Sequence, residues 1–203
     1  FEKYFFKNFQ MYAPSIAGSQ KIKGKITIEN INFLFPMISL LISKLINKKK
    51  IIDSRLFCKN RAGLNNANKL KKLFNFYGSD KSKHHDYHYI YSSIFKNRTK
   101  VKKILEIGIG TNNTSILSNM GETGKPGASL KAYRDFFKKS KIYGADIDNQ
   151  ILFKDERIST YYVDQTKEKS IKKLFKLLGN KFDLIIDDGL HSHTANLNVI
   201  INS

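Results

Sequence analysis

The sequence predicts an α/β fold in which a parallel sheet is covered by helices on both faces. Four short runs rich in isoleucine have the length and hydrophobicity of buried strands, and they cover residues 103–107, 141–145, 158–163 and 182–186. Helix-like segments alternate with these runs, which is typical of parallel sheets. The runs end in glycine or acidic residues, and open α/β sheets bind ligands outside the carboxyl ends of their strands. We therefore expect a Rossmann-like, doubly wound sheet whose strand ends line one crevice.

The composition indicates the size of the domain and the class of partner. The chain has 203 residues, 41% of them hydrophobic, which suffices for one well-cored domain and an extension. Its formal net charge of +19 is compatible with nucleic acid or an anionic membrane. Lysine, however, greatly outnumbers arginine, and isoleucine and asparagine are abundant, as an AT-rich coding sequence produces. Because arginine is the better residue for bidentate phosphate recognition, nucleic acid is not the partner that we expect.

Cysteine usage and the start of the chain indicate the cellular setting. The single cysteine, Cys58, cannot form an intramolecular disulfide or a cysteine zinc site, which fits a reducing, cytoplasmic location. No signal peptide is visible at the start. The chain begins with Phe1 instead of methionine, so we expect a fragment or a processed chain.

The first 64 residues differ in composition from the rest, and we divide the chain into an N-terminal extension of unknown role (1–64) and a second domain (65–203). The features predicted in the extension are an aromatic cluster at 1–9, a strand at 26–35 and a mostly apolar helix at 37–45. The apolar run 33–46 is too short to span a membrane, and we consider the stretch 33–50 as a contact surface. It either packs against the domain or a partner domain, which we favour, or lies on a membrane surface through its apolar face.

A helix is predicted at 67–77, ended by Gly78 at its C′ position. Three histidines follow it, and they are His84, His85 and His88. They have two interpretations, a set of metal ligands or a solvated, hydrogen-bonded cluster. We favour the cluster, because no cysteine or clear second ligand pair accompanies it.

A long polar loop is predicted at 111–127, and loops of this length are usually functional or disordered. The helix expected after it covers 130–139, with Ser129 as its N-cap. A free helix N-terminus near a ligand is suited to a carboxylate group. A further helix, 169–178, is predicted to end at Gly179.

Residues at the ends of the first two strands indicate a nucleotide site. Gly108 and Gly110 allow a ligand to approach the backbone closely, and glycine also permits a positive φ. Asp146 ends the second strand, where a carboxylate can accept hydrogen bonds from both hydroxyls of a ribose. Asp148 competes for this role, but a turn or N-cap position suits it better.

Asp187, Asp188 and His191 leave the end of the fourth predicted strand within five residues. Carboxylate oxygens suit a hard cation such as Mg²⁺, and histidine can take up a proton near neutral pH. The alternative is a capped turn beside a solvated histidine. We favour a site for metal binding and proton transfer.

Together, the Gly108-x-Gly110 pair, the acidic end of the second strand and the Asp-Asp-Gly-x-His motif at 187–191 resemble class I S-adenosylmethionine (SAM)-dependent methyltransferases. More narrowly, these motifs resemble the macrocin and mycinamicin sugar O-methyltransferases. The resemblance covers roughly residues 70–203. It includes the Gly78-Ser79-Asp80-Lys81 segment. The resemblance implies that this segment folds over the cofactor.

The resemblance implies SAM as the cofactor and gives roles to further residues. Glu106 corresponds to the acidic position of the first motif, and Asp164 and Gln165, after the third strand, to the pair that meets adenine. Asp188 corresponds to a magnesium ligand and His191 to the general base. The family has seven strands and places acidic residues after the fifth. Four strands are visible here and the chain ends in the next helix, so we expect C-terminal truncation.

The predicted function is SAM-dependent methylation of a hydroxyl on a sugar, glycan or natural product, assisted by magnesium. A dinucleotide oxidoreductase is disfavoured, because the third glycine of its fingerprint would fall at Asn113. An amino-methylating nucleic-acid enzyme would carry a Pro-Pro-aromatic motif where Asp187-Asp188-Gly189 stands. Two alternatives stay open: a truncated SAM-binding domain without turnover, and a methyltransferase for RNA or another small molecule. The sequence does not predict the oligomeric state.

Overall fold

The computed structural model describes residues 53–58, 60–83, 85–94, 98–179 and 181–203, together with Pro36, Ser39 and Leu40, and it describes only the backbone of His193. The features predicted at 1–9, 26–35, 37–45 and 33–50 lie outside the described residues, apart from those three. They stay predictions, as does the division of the chain at residue 64.

A five-stranded sheet forms the centre of the domain, in the spatial order β3-β4-β2-β1-β5. The strands are β1 (Lys103–Ile107), β2 (Lys141–Asp146), β3 (Lys154–Asp155), β4 (Ile158–Tyr162) and β5 (Leu184–Asp187). All neighbouring pairs are parallel except β3 with β4. The four predicted parallel strands are therefore confirmed. The sequence did not predict β3, because two residues are too few to show a strand pattern.

The fourth predicted strand is shifted along the chain, since β5 begins at Leu184 instead of residue 182 and ends at Asp187. The carboxylate of Asp183 accepts hydrogen bonds from the backbone N–H groups of Lys102 and Lys103, at 2.7 and 2.9 Å, so it belongs to the turn before the strand. Asp187 pairs with Ile107 at the other end. This register brings the Asp-Asp-Gly motif to the same edge of the sheet as the turn after β1.

The described part of the chain contains five helices of eight or more residues: α1 (Arg61–Tyr77), α2 (Tyr87–Ile94), α3 (Ala128–Phe136), α4 (Glu168–Leu178) and α5 (His193–Asn202). α1 begins before the predicted residue 67, because the Asn60 side chain caps the N–H of Gly63 at 2.8 Å. It ends at Gly78, whose φ of 81° confirms the predicted C′ glycine. Among the described helices, none has the length and hydropathy that crossing a bilayer requires.

The predicted N-cap of α3 is wrong. The helix begins at Ala128 after Gly127, and it ends at Phe136 instead of residue 139. Ser129 lies in the first turn, where its hydroxyl donates to the buried carboxylate of Glu106 instead of capping the helix. The N–H of Gly127 donates to the carbonyl of Ile109 at 2.8 Å, which ties the start of α3 to the turn after β1.

Two apolar clusters cover the two faces of the sheet, because successive strand residues point to opposite sides. Ile104 and Ile142 pack with residues of α1 and α3, whereas Leu105 packs with residues of α4 and α5. Helices therefore cover both faces, as the prediction of a doubly wound sheet requires. Glu106 follows Leu105 and faces α3, where Ser129 and Tyr133 contact its carboxylate.

His88 of α2 is a buried histidine whose protonation makes the stability of the fold depend on pH. Its side chain is fully buried, and neither ring nitrogen has a hydrogen-bond partner among the described residues. Burial lowers the pKa of His88, Lys71 lowers it further, and Asp86 acts in the opposite direction. The histidine is therefore neutral when folded, and the unfolded chain takes up its proton near pH 6.5. The stability that this neutral histidine contributes is complete above about pH 6.5 and is lost as the pH falls towards the lowered pKa.

We expect His88→Leu to reduce the acid dependence of the free energy of unfolding below about pH 6.5, since the group that must be protonated on unfolding is gone. Urea denaturation at several pH values measures this. His85→Gln, at an exposed position, is the control and should retain the dependence. An unchanged pH dependence in His88→Leu would contradict the assignment.

Candidate active site

The turn after β1 passes very close to the turn after β5. Gly108 and Gly110 both have a φ of +83°, a conformation that favours glycine. A Cβ added to Gly108 would lie 2.5 Å from the carbonyl carbon of Asp188 and would also overlap Gly189. Glycine at position 108 is therefore required by the approach of two backbone segments as well as by its φ.

The carboxylate of Asp146 connects the turn after β1 to the turn after β2. One carboxylate oxygen accepts from the N–H of Ile109 at 2.9 Å, and the other accepts from the N–H of Asp148 at 3.0 Å. Burial raises the pKa of Asp146, and hydrogen bonds from the backbone oppose this shift. Asp148 caps the N–H of Gln150 at 2.9 Å and accepts from the Thr111 hydroxyl, which confirms its predicted turn and capping role.

An apolar cavity of about 330 Å³ lies at the strand ends, a volume within the usual range for small-molecule sites. Its walls include apolar side chains such as Ile116, Leu117, Ile147 and Val163. Five of the six predicted cofactor residues also line it, and they are Gly108, Gly110, Asp146, Asp164 and Gln165. The sixth, Glu106, does not line it.

Asp164 and Gln165 hold the end of β4 in place. Asp164 accepts from the backbone and hydroxyl of Thr166, and its other oxygen pairs with Lys167 at 2.9 Å. Burial alone would raise the pKa of Asp164, but these hydrogen bonds outweigh burial and lower it. The Gln165 amide donates to Asp187 at 2.7 Å and accepts from the N–H of Leu190 at 2.8 Å, so it joins the ends of β4 and β5.

Glu106 lies in a buried charged cluster. Its side chain has no exposed surface, and its carboxylate accepts from Ser129 and, at 3.5 Å, from Tyr133. The ammonium of Lys81 lies 3.2 Å from Glu106 and also contacts Asp188. Burial raises the pKa of Glu106; Lys81 opposes this shift, Asp188 adds to it, and the net direction is upward.

A polar cavity of about 190 Å³ adjoins this cluster. Lys81, His85 and Tyr87 lie on its wall together with Asp188 and His191. The Nε2 atom of His191 is 3.7 Å from the Oδ1 atom of Asp188, and both side chains are partly exposed. The structure therefore brings the two predicted catalytic and metal-binding residues together.

The polar and apolar cavities share their boundary. Gly108, Gly110 and Asp188 line both of them, as does Ser118 from the long polar loop. The Ser118 hydroxyl donates to the carbonyl of Gly189 at 2.7 Å, which holds the loop against the turn after β5. A ligand that filled the apolar cavity would thus end beside Asp188, where the polar cavity begins.

The residues present fit a magnesium ion only in part. Asp188 offers its Oδ1 oxygen, while its Oδ2 oxygen contacts Lys81. The neighbouring Asp187 accepts from Gln165 and from Asn196. Within the described ranges, no group of three or more histidine, cysteine, aspartate or glutamate residues could hold a metal. The two described histidines of the predicted cluster do not supply one there either, since His85 stacks on Tyr87 and His88 is buried. His88 has no hydrogen-bond partner among the described residues, so the favoured solvated, hydrogen-bonded cluster is wrong for this residue.

Lys81 is the buried charged residue of this site that sequence reasoning did not single out. It belongs to the Gly78-Ser79-Asp80-Lys81 segment, where a short 3₁₀ turn, Asp80–Ser82, follows α1. Lysine and arginine together make up 36 residues of this chain, so a lone lysine carries little information. The segment's place in the resembled family was the one available signal.

No protein-family model matches the sequence. A curated relative, the 8-demethyl-8-alpha-L-rhamnosyl tetracenomycin-C 2'-O-methyltransferase of Streptomyces olivaceus, is 29% identical over 57% of this chain and 28% of its own length. Demethylmacrocin O-methyltransferase of Streptomyces fradiae is 35% identical over 46% of this chain and 22% of its own length. The chain thus spans less than a third of either relative.

Solved structures of MycE methyltransferase from the mycinamycin biosynthetic pathway share the fold. One, in complex with Mg and S-adenosylhomocysteine (SAH), has a TM-score of 0.56 and 26% identity, covering 66% of this chain and 35% of that chain. Another, which also contains mycinamycin VI, has a TM-score of 0.56 and 25% identity. In both sequence and fold, the chain is similar to the SAM-dependent sugar O-methyltransferases of the macrocin and mycinamicin type.

Proposed function

We propose that this chain carries the SAM-binding and catalytic part of an O-methyltransferase that acts on a sugar hydroxyl of a natural product or glycan. The observation that carries the proposal is the position of Asp188 at the boundary of the two cavities, with His191 beside it on the wall of the polar cavity. A cofactor in the apolar cavity would present its reactive end there. The acceptor classes come from the relatives, whose names specify methylation of rhamnosyl tetracenomycin, demethylmacrocin and mycinamicin VI.

SAM is the proposed occupant of the apolar cavity, supported by the SAH in the similar MycE structures. Asp146 would accept from the ribose hydroxyls with the lone pairs that its two backbone contacts leave free. Asp164 and Gln165 would lie at the adenine, and Gly108 and Gly110 would let the cofactor approach the backbone. Glu106 would contribute indirectly, by holding Lys81 and Ser129.

His191 is the proposed general base. A sugar hydroxyl is a weak nucleophile at neutral pH, and loss of its proton during attack makes it a better one. The acceptor oxygen bonds to the methyl carbon, the bond from that carbon to sulfur breaks, and the proton passes to the imidazole. The carboxylate of Asp188, 3.7 Å away, stabilises the imidazolium that forms.

Magnesium is a proposed cofactor, supported by its presence in the MycE complexes. Asp188 is the described residue that would hold it, and the ion would polarise the acceptor oxygen. Asp188 alone does not complete a magnesium site, so the proposed proton transfer is assigned to His191 and not to the ion.

The cytoplasmic location remains part of the proposal and rests on the single free, buried Cys58.

Transfer of labelled methyl from SAM tests the function in the intact protein. Glycosylated polyketides and macrolides should become labelled, and the matching aglycones should not. Label on RNA would favour a nucleic-acid methyltransferase. SAH binding without transfer to any acceptor would favour a SAM-binding domain without turnover.

Replacing Asp146 tests the cofactor site. Asp146→Ala should weaken SAH binding by about 1.5–3 kcal/mol, the usual cost of losing a charged hydrogen-bond acceptor. Asp148→Ala is the matched control, because Asp148 also organises this turn but does not line the apolar cavity. Calorimetric titration should therefore show the larger loss in Asp146→Ala. Equal affinity in that variant and the wild type would remove Asp146 from the site.

A further inference from the structure

Lys81 is a buried cation that the proton transfer does not use. Its side chain is only 4% exposed, and its ammonium lies between the carboxylates of Glu106 and Asp188. Asp188 is 107 residues further along the chain. The contact therefore joins the segment after α1 to the turn after β5, beside Glu106 of β1.

Glu106 fixes the inner end of this cluster. It is fully buried and accepts from Ser129 and Tyr133 of α3, as well as from Lys81. The N–H of Lys81 also donates to the Ser79 hydroxyl at 3.4 Å, and Ser82 donates to Asn75 of α1 at 2.8 Å. The backbone beside Lys81 is thus tied to α1 through Ser82, while the ammonium end of its side chain is held by Glu106.

The ammonium remains charged in this position. Burial alone would lower the pKa of Lys81, but the attraction of Glu106 and then of Asp188 outweighs burial and raises it. Because the ammonium is held against Glu106, it gives Asp188 a defined partner within the protein. The exposed fraction of the side chains rises along the cluster, from 0% at Glu106 to 4% at Lys81 and 32% at Asp188.

We propose that Lys81 is a positioning residue, which holds the Oδ2 oxygen of Asp188 so that the Oδ1 oxygen faces the polar cavity beside His191. This inference rests on the proposed function. A free aspartate side chain with this exposure would sample several rotamers. With one oxygen held by Lys81, the other stays near the Nε2 atom of His191 and is available to the imidazolium or to a cation.

A double-mutant cycle tests this role. Lys81→Met alone would leave Glu106 buried without its cation, which endangers the fold. The cycle is therefore built on Glu106→Gln, which keeps the shape of the side chain and removes the buried charge. Four proteins are compared: E106Q, E106Q/K81M, E106Q/D188N and E106Q/K81M/D188N. Thermal melting checks that each one is folded.

Two measurements are made on these proteins. The ring ¹⁵N resonances of His191 report its surroundings without any turnover, and the acceptor assay gives kcat and the KM for SAM. Where Asp188 is intact, K81M should move the His191 resonances and lower kcat at least tenfold, while KM for SAM changes less than threefold. In the D188N background, K81M should leave the resonances in place and change kcat less than threefold.

Equal losses in the two backgrounds, or His191 resonances that K81M does not move, would overturn the positioning role. A wild-type protein that methylates no acceptor would contradict the proposed function instead. In that case the resonances still decide whether Lys81 acts on His191 through Asp188. Failures of the two proposals are therefore distinguishable.

Discussion

His191→Ala is expected to lower kcat by about 10²–10⁴-fold, the usual range for the loss of a general base. The affinity for SAM should change less than threefold, because His191 lines the polar cavity and not the apolar one. Single-turnover assays with a verified acceptor measure the chemical step, and calorimetry with SAH measures the affinity. A lower kcat with an unchanged cofactor affinity would show that His191 stabilises the transition state and does not contribute to cofactor binding.

Two comparisons show whether proton transfer is the cause. His191→Gln retains a polar side chain but cannot take up the proton, so it should lose about as much activity as His191→Ala. Added imidazole should restore part of the activity of His191→Ala, whose shorter side chain leaves room for it. Normal turnover by His191→Ala would show that catalysis works by proximity alone, without this base.

Gly108→Ala is expected to have the largest effect on stability. Alanine at a φ of +83° is strained by about 1–2 kcal/mol, and its Cβ would also overlap the backbone of Asp188 and Gly189. Backbone atoms cannot move aside as a flexible side chain can, so the two turns must separate. We expect a total loss of at least about 3 kcal/mol in the free energy of unfolding, together with loss of SAH binding.

Gly121→Ala is the matched control for this prediction. Gly121 also has a positive φ, of 70°, but an added Cβ would meet no atom within 4 Å. Its variant therefore carries the conformational strain without the overlap and should lose only about 1–2 kcal/mol. Urea denaturation of both variants gives the difference. If the two losses are equal, the close approach of the turns has no energetic consequence.

The parallel strands could be predicted because their signal is local. Runs such as 103–107 are apolar, short and followed by glycine or an acid, and each of these properties is visible in a few residues. The same reasoning placed Asp188 and His191 at one strand end. The cap of α3 was mistaken for the opposite reason, because Ser129 bonds to Glu106, which no local pattern reveals.

The rest of the site depends on contacts between distant segments. Gln165 was assigned to adenine by resemblance, yet its amide joins Asp187 to the N–H of Leu190, and its role at adenine stays a prediction. Lys81 meets Asp188 only because the sheet order brings β1 and β5 together. Contacts between residues so far apart in the sequence form only when the chain folds, so local sequence patterns do not predict them.

Calorimetric titration of the intact protein with SAH tests the central claim most directly, because every role proposed here requires a SAM site at the strand ends. We expect binding at one site, a Kd that Asp146→Ala raises at least tenfold, and no heat from NAD under the same conditions. Absence of SAH binding by the folded protein, or NAD binding at the same site, would contradict the account.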